Sequence, residues 1–205
     1  MEEKLKAILL FGQPGVGKGT QGAILGKVPG FCHLATGDMF RGLDRDSELG
    51  REFLKYSNQG LLVPDELTCR LWRQYVQGLI DTNKYLPGAD VLLLDGIPRS
   101  PAQAETLDEH IDVLAVIHLV CDDEEELVQR MKRRAEIQNR PDDADESVIR
   151  RRFEVFHAET AKVLAHYDPS LVHRVTATGA PSRILLNILE ESVPAMEGHF
   201  GNPLA

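Results

Sequence analysis

The chain has 205 residues, 42% apolar and 27% charged, a composition that argues against disordered and fibrous proteins and gives one domain length enough to bury a core. Its 23 Lys and Arg are outnumbered by 32 Asp and Glu, and the resulting charge of −9 repels nucleic-acid phosphates and anionic membrane surfaces. The opening MEEKLKAILLF carries an apolar stretch too short for a signal-peptide core or a membrane span, so a cytoplasmic protein is expected.

In chain order, the first predicted strand is Lys6–Phe11, followed by a glycine-rich turn and a short helix within TQGAILGK. A second strand is expected over Phe31–Ala35. The stretch 42–64 is polar and helical without a strand. A third strand, Val91–Leu94, closes on Asp95, and a fourth covers Leu114–Val120. Asp122 and Asp123 then offer N-caps to a helix running through Leu127 and Met131. The segment 139–146 reads as a charged loop, Leu171–Thr176 as the fifth strand, and the tail from Pro194 to Ala205 as a loose end. Strands alternating with helices predict an α/β fold: three layers around a five-stranded parallel sheet. The cysteines, Cys32, Cys69 and Cys121, match no zinc spacing and are expected to be reduced and packed. The seven histidines show no metal-binding or triad spacing.

Directly after the first strand comes Gly12-Gln13-Pro14-Gly15-Val16-Gly17-Lys18-Gly19-Thr20, a strand-turn-helix context for a phosphate-binding loop. Successive backbone N–H groups at a helix N-terminus form a concavity whose partial positive charge favours a polyphosphate. Lys18 adds a point charge for the outer phosphates. The usual pattern places Ser or Thr directly after the lysine to hold Mg²⁺, whereas here Gly19 stands there and Thr20 follows. Asp95 ends a buried strand, where a carboxylate can organise the waters of Mg²⁺. An acidic chain also gathers eight of its 23 basic residues between 130 and 152: Arg130, Lys132, Arg133, Arg134, Arg140, Arg150, Arg151 and Arg152. Arg130 and Arg134 share a helix face, and the competing reading of the cluster is a solvated face paired with Glu126, Glu136 or Glu146.

GQPGVGKGTQ at 12–21, TGDMFR at 36–41, GLLVPDE at 60–66, DGIPRSPAQ at 95–103 and RMKRRAEIQNRPDD at 130–143 stand in one order. Together they resemble the adenylate kinase family of nucleoside monophosphate kinases, over the chain from Ile8 to about Glu190. The resemblance implies reversible phosphoryl transfer from Mg·ATP to AMP, giving two ADP. It further implies a core with a monophosphate-binding insert at about 35–64 and a short lid at about 135–148. Its nucleotide partners would be ATP, AMP and ADP, with no nucleic acid or membrane partner, and members are mostly monomeric.

Carried over residue by residue, the resemblance assigns ATP to Gly12, Gly15, Val16, Gly17, Lys18, Gly19, Thr20, Arg130, Arg134 and Gly179. It assigns AMP to Thr36, Arg41, Leu62, Val63, Gly96, Arg99, Gln103, Arg140 and Arg152, with Gln103 reading the adenine edge. Lys18, Arg99, Arg134, Arg140 and Arg152 form the implied catalytic set. Members selective for pyrimidine monophosphates carry a small residue where this chain has Thr36, which favours adenine. Counting from Asp142-Asp143 points to Arg151 as the second lid arginine, while counting back from Phe156 and Thr160 points to Arg152. Asn139 replaces the lid's usual glycine and Ile97 the usual aromatic before Pro98. No metal is expected to be bound directly by protein, and the short, cysteine-free lid leaves no room for a zinc hairpin. Two other functions stay open: a kinase for UMP, CMP or dAMP, and a nucleotide-binding module without transfer.

Overall fold

The computed structural model describes residues 4–138, 140 and 143–200. The expectations for Asn139, Asp142 and the last five residues of the tail lie outside them. Five strands, β1 (Leu5–Phe11), β2 (Phe31–Ala35), β3 (Val91–Asp95), β4 (Ile111–Val120) and β5 (Val172–Thr176), form one parallel sheet in the order β2-β3-β1-β4-β5. Eight α-helices are described: α1 (Lys18–Leu25), α2 (Thr36–Arg41), α3 (Glu48–Ser57), α4 (Asp65–Asp81), α5 (Pro101–Asp108), α6 (Glu124–Gln138), α7 (Glu146–Ala158) and α8 (Pro181–Glu197). None is long and apolar enough to cross a membrane.

Side chains alternate across the sheet, so each central strand feeds two cores. Ala7, Leu9 and Phe11 of β1 join Leu92 and Leu94 of β3 with Trp72 of α4, Leu107 of α5 and Phe156 of α7. On the other face Ile8, Leu10 and Leu93 pack with Leu25 of α1, Leu127 and Met131 of α6 and Ile188 of α8. This double burial is why the strands are short apolar runs. The register pairs Leu10 of β1 and Ala35 of β2 with Asp95, so the carboxyl ends of three strands open at one edge. In parallel α/β sheets that edge is where ligands bind.

Two predicted boundaries move furthest. β4 begins at Ile111 rather than Leu114, because Lys6 reaches the exposed Asp112 at 2.7 Å and extends the pairing with β1. The expected loose end starting at Pro194 is instead helix as far as Glu197, with Ala195, Met196 and Phe200 packed against the core. A proline removes one internal helix hydrogen bond, and here the tertiary contacts on the following turn outweigh that loss. Of the two candidate caps before α6, Asp123 accepts from Glu126 N at 3.0 Å, while Asp122 lies 3.4 Å from Arg174. Cys69 and Cys121 are buried and Cys32 is half-buried, all three as free thiols.

Leu93 is fully buried in β3, which pairs with β2 and β1. Leu93→Ala is expected to lower unfolding free energy by ~2–5 kcal/mol, the range for a truncated core leucine, in a urea titration monitored by circular dichroism.

Candidate active site

The glycine turn links β1 to α1 at the open edge of the sheet. Gly12 runs against β4, where a Cβ would collide with the carbonyl oxygen of Leu119. Gly17 caps α1 with φ 108°, a left-handed conformation that L side chains rarely adopt. With no acidic residue in the first turn of α1, the free N–H groups there meet no carboxylate of their own helix. Lys18 folds over the turn and donates to the carbonyl oxygens of Gly12 at 2.6 Å and Gln13 at 3.0 Å.

Burial pushes the Lys18 ammonium down to about 8, Asp95 opposes the shift, and Arg99, Arg152 and Arg134 add to it. Arg99 is lowered to about 10, first by burial and then by Arg152. Arg140 is also lowered, by burial and by Arg41 and Arg134. These shifts share two causes, burial first and then repulsion between neighbouring cations, which the nearby carboxylates offset only in part.

A cleft of about 890 Å³ joins the turn to these cations. It is lined by Gly15 through Thr20, Asp95, Arg99, Arg130, Arg134, Arg140, Arg152 and Gly179. Arg130 also bonds the carbonyl of Ala177 at 3.1 Å and Glu126 at 2.5 Å, so it is half committed to a surface pair. Of the two arginines the sequence left open, Arg152 faces the cleft, whereas Arg151 points out to Glu154 at 2.7 Å. Arg150 and Lys132 are likewise taken by Glu146.

A second pocket opens next to the first, with Lys18, Thr36, Arg41, Leu62, Val63, Gly96, Arg99, Gln103 and Arg152 in its wall. The Thr36 hydroxyl donates to the carbonyls of Asp95 and Gly96, and Arg99 Nε donates to Gly96 at 2.8 Å. Arg41 holds Asp38 at 2.6 Å, and Arg140 approaches the same carboxylate at 3.8 Å. Gln103 is buried with Nε2 donating to Asp65 at 2.7 Å and Oε1 accepting from Arg99 N at 2.8 Å. Its amide is therefore oriented before any base arrives, with one N–H left over. Every residue that the resemblance assigned to ATP, to AMP or to the catalytic set lines one or both of these spaces, and Asp38 lines the cleft as well, whereas Arg151, the alternative lid arginine, lines neither.

Asp143 is the residue that sequence reasoning missed. Its side chain is fully buried, with Arg134 at 2.6 Å and Arg152 at 2.5 Å on its two oxygens. Its place nine residues from each arginine was readable, but no helical or strand period pairs residues at that distance. The stack of Phe40 on Phe53, 5.0 Å between centroids and 4° from parallel, was also unforeseen. It forms an apolar wall of the second pocket.

The adenylate kinase family model matches residues 10–171. The chain is 39% identical over 184 residues to an adenylate kinase of Flavobacterium johnsoniae, covering 86% of this chain and 93% of that one. It is 37% identical over 190 residues to an adenylate kinase of Thermus thermophilus, covering 89% and 95%, and 38% identical over 188 residues to one of Kocuria rhizophila, covering 89% and 96%. The chain belongs to the adenylate kinase family.

Members of the adenylate kinase family handle Mg²⁺ together with ATP, and the residues here fit a cation that arrives that way. Among the described residues no three His, Cys, Asp or Glu side chains gather to hold a metal ion. The lone carboxylate of Asp95 faces Gly19, where a Cβ would stand 3.5 Å from its Oδ2. A single carboxylate at that distance can orient the waters of a phosphate-bound Mg²⁺ without forming a resident metal site.

The depressed Lys18 sets a pH dependence. The amine is charged below about 8 and neutral above it, and a polyphosphate binds the charged form, so binding draws a proton at alkaline pH. Calorimetry with ATP in buffers of different ionisation enthalpy is expected to show no proton uptake near pH 6.5 and uptake approaching one at about pH 9, with affinity falling over that interval.

Proposed function

We propose that the chain transfers the terminal phosphoryl group of ATP reversibly to AMP, giving two ADP. One observation carries this reading. The phosphate-binding turn with Lys18 and the arginine pocket of Thr36, Arg41 and Arg99 open toward each other, and Arg152 lines both spaces.

In this reading ATP lies along the cleft, with its phosphates on the N–H groups of residues 15–20 and on Lys18. Its base lies toward Arg130 and Gly179. AMP enters the second pocket, where Arg41 and Arg99 supply guanidinium forks suited to a dianionic phosphate. Its adenine lies against Leu62 and Val63, with the remaining N–H of Gln103 directed to its edge. Arg134, Arg140 and Arg152 reach the phosphoryl group between the nucleotides, where charge spreads over its oxygens during in-line transfer. Asp95 would hold the waters of a Mg²⁺ bound to ATP, a cation that would neutralise charge at the phosphates. No general base of unusual basicity is needed, because positioning, water exclusion and fixed positive charge account for the chemistry.

The segments 35–64 and 135–148 act as monophosphate insert and lid. Support comes from the turn after α3: a Cβ at Gly60 would meet the carbonyl of Val148 at 2.9 Å and the Arg152 side chain at 3.0 Å. In this reading the two segments part to release product, a step that limits turnover in many lid enzymes. One chain supplies every residue of the proposed site, which supports a monomer, and its three free thiols are in keeping with a cytoplasmic protein.

Product analysis of ATP mixed in turn with AMP, dAMP, CMP and UMP tests the assignment. ADP from AMP at a rate well above the others is the expected outcome, and a faster pyrimidine reaction contradicts the reading of Thr36. Lys18→Met and Arg99→Ala should each lower kcat by about 10²–10³-fold, the scale for losing one fixed donor to transition-state charge, with unchanged circular dichroism.

A further inference from the structure

Gln13 lies within the phosphate-binding turn but lines neither pocket, and its side chain points away from the nucleotide spaces toward the starts and ends of other helices. Its Nε2 donates to Glu124 Oε1 at 3.0 Å and lies 3.4 Å from His157 Nε2. His157 Nε2 is in turn 2.9 Å from the same Glu124 oxygen. Three elements meet at this point: the turn after β1, the first residue of α6 and the last turn of α7.

The backbone of Gln13 has its own task, because its carbonyl oxygen is one of the two that hold the Lys18 ammonium. A carbonyl in a glycine-rich turn is only as well placed as its peptide plane, and Pro14 and Gly15 beside it offer no side-chain anchor. The carbonyl also accepts from Val16 N at 3.3 Å, and the amide of Gln13, bonded to Glu124, is the side-chain tether beside it. Glu124 sits in the first turn of α6, where the helix dipole favours a carboxylate, and His157 sits in the last turn of α7, where it favours a cation. α7 also carries Arg152, five residues before His157, so the clamp on the turn is continuous with the helix that presents an arginine to the cleft.

We propose that Gln13 is a positioning residue for Lys18, and that Glu124 and His157 hold it so that the lysine and Arg152 are set relative to each other. The proposal rests on the kinase reading for its effect on turnover, but its effect on ATP binding does not. Gln13 touches no reacting atom. It acts through the orientation of its own carbonyl, and so its loss falls on the donor nucleotide and on kcat more than on AMP, whose pocket meets Lys18 but is built mainly from Thr36, Arg41, Arg99 and Gln103.

The test compares Gln13→Ala, Gln13→Glu and the exchanged pair Gln13→Glu with Glu124→Gln, using steady-state rates, calorimetric ATP affinity and thermal melting. Gln13→Ala is expected to lower kcat and ATP affinity each by about tenfold, the scale of one hydrogen bond's worth of orientation, with KM for AMP moved by less than about threefold and Tm by no more than about 2 °C. Gln13→Glu sets two carboxylates against each other and lowers both quantities further. The exchanged pair reverses donor and acceptor while keeping the charge, and it restores both to within about twofold of the parent protein. Parent-level kcat and ATP affinity in Gln13→Ala overturn the proposal. So does an exchanged pair that is as impaired as Gln13→Glu alone. If the parent protein does not phosphorylate AMP, the kinase reading fails while the ATP affinities still decide the role of Gln13.

Discussion

Lys18, Arg99, Arg134, Arg140 and Arg152 would drive one another apart if nothing in the protein answered their charge. The carboxylate of Asp143 answers two of them at once. It is fully buried, with a guanidinium on each oxygen, and it ties α6 to α7 across the 139–145 segment. Asp95 attracts Lys18 through its charge, and the exposed Asp38 pairs with Arg41 and lies 3.8 Å from Arg140. Removing one partner from the buried Asp143 pairs leaves an uncompensated charge that costs ~3–5 kcal/mol, so this carboxylate keeps Arg134 and Arg152 in place before any phosphate is present. Lys18, Arg99 and Arg140 are lowered first by burial and then by the cations around them, which leaves a surface that an incoming polyanion would stabilise.

The sheet makes this arrangement possible by delivering the ends of β1, β2 and β3 to one edge. The glycine turn follows β1, Thr36 follows β2 and Asp95 ends β3, so three local motifs far apart in the chain become one surface through the strand order alone. Thr36 then bonds the backbone of residues 95 and 96, and Thr160 bonds the carbonyl of Arg99 at 3.0 Å, which locks the loop carrying that arginine from both sides.

Most of the fold could be read from the chain, because strands buried on both faces announce themselves as short apolar runs and the glycine turn marks the first crossover. What escaped depended on contacts distant in sequence. The start of β4 was hidden by Asp112, polar in a strand and readable only once Lys6 is known to lie beside it. The helix through Pro194 runs against local propensity and is held by Met196 and Phe200 on the core. In the site, the arginine cluster stood out against an acidic background, but its sorting into cleft and surface did not. Arg151 and Arg152 are neighbours of identical chemistry, and only the direction of α7 distinguishes the one paired with Glu154 from the one paired with Asp143. The same holds for Gln103, whose fixed amide depends on Asp65, 38 positions away.

The central claim is that one continuous cationic surface awaits two nucleotides end to end. Calorimetric titration with a dinucleotide in which two adenosines are joined through five phosphates tests it most directly. The account predicts one molecule bound per chain, displacing both ATP and AMP, with affinity lost when either Lys18 or Arg99 is replaced. A complex that leaves AMP free to bind, or that ignores the replacement of Arg99, would contradict it.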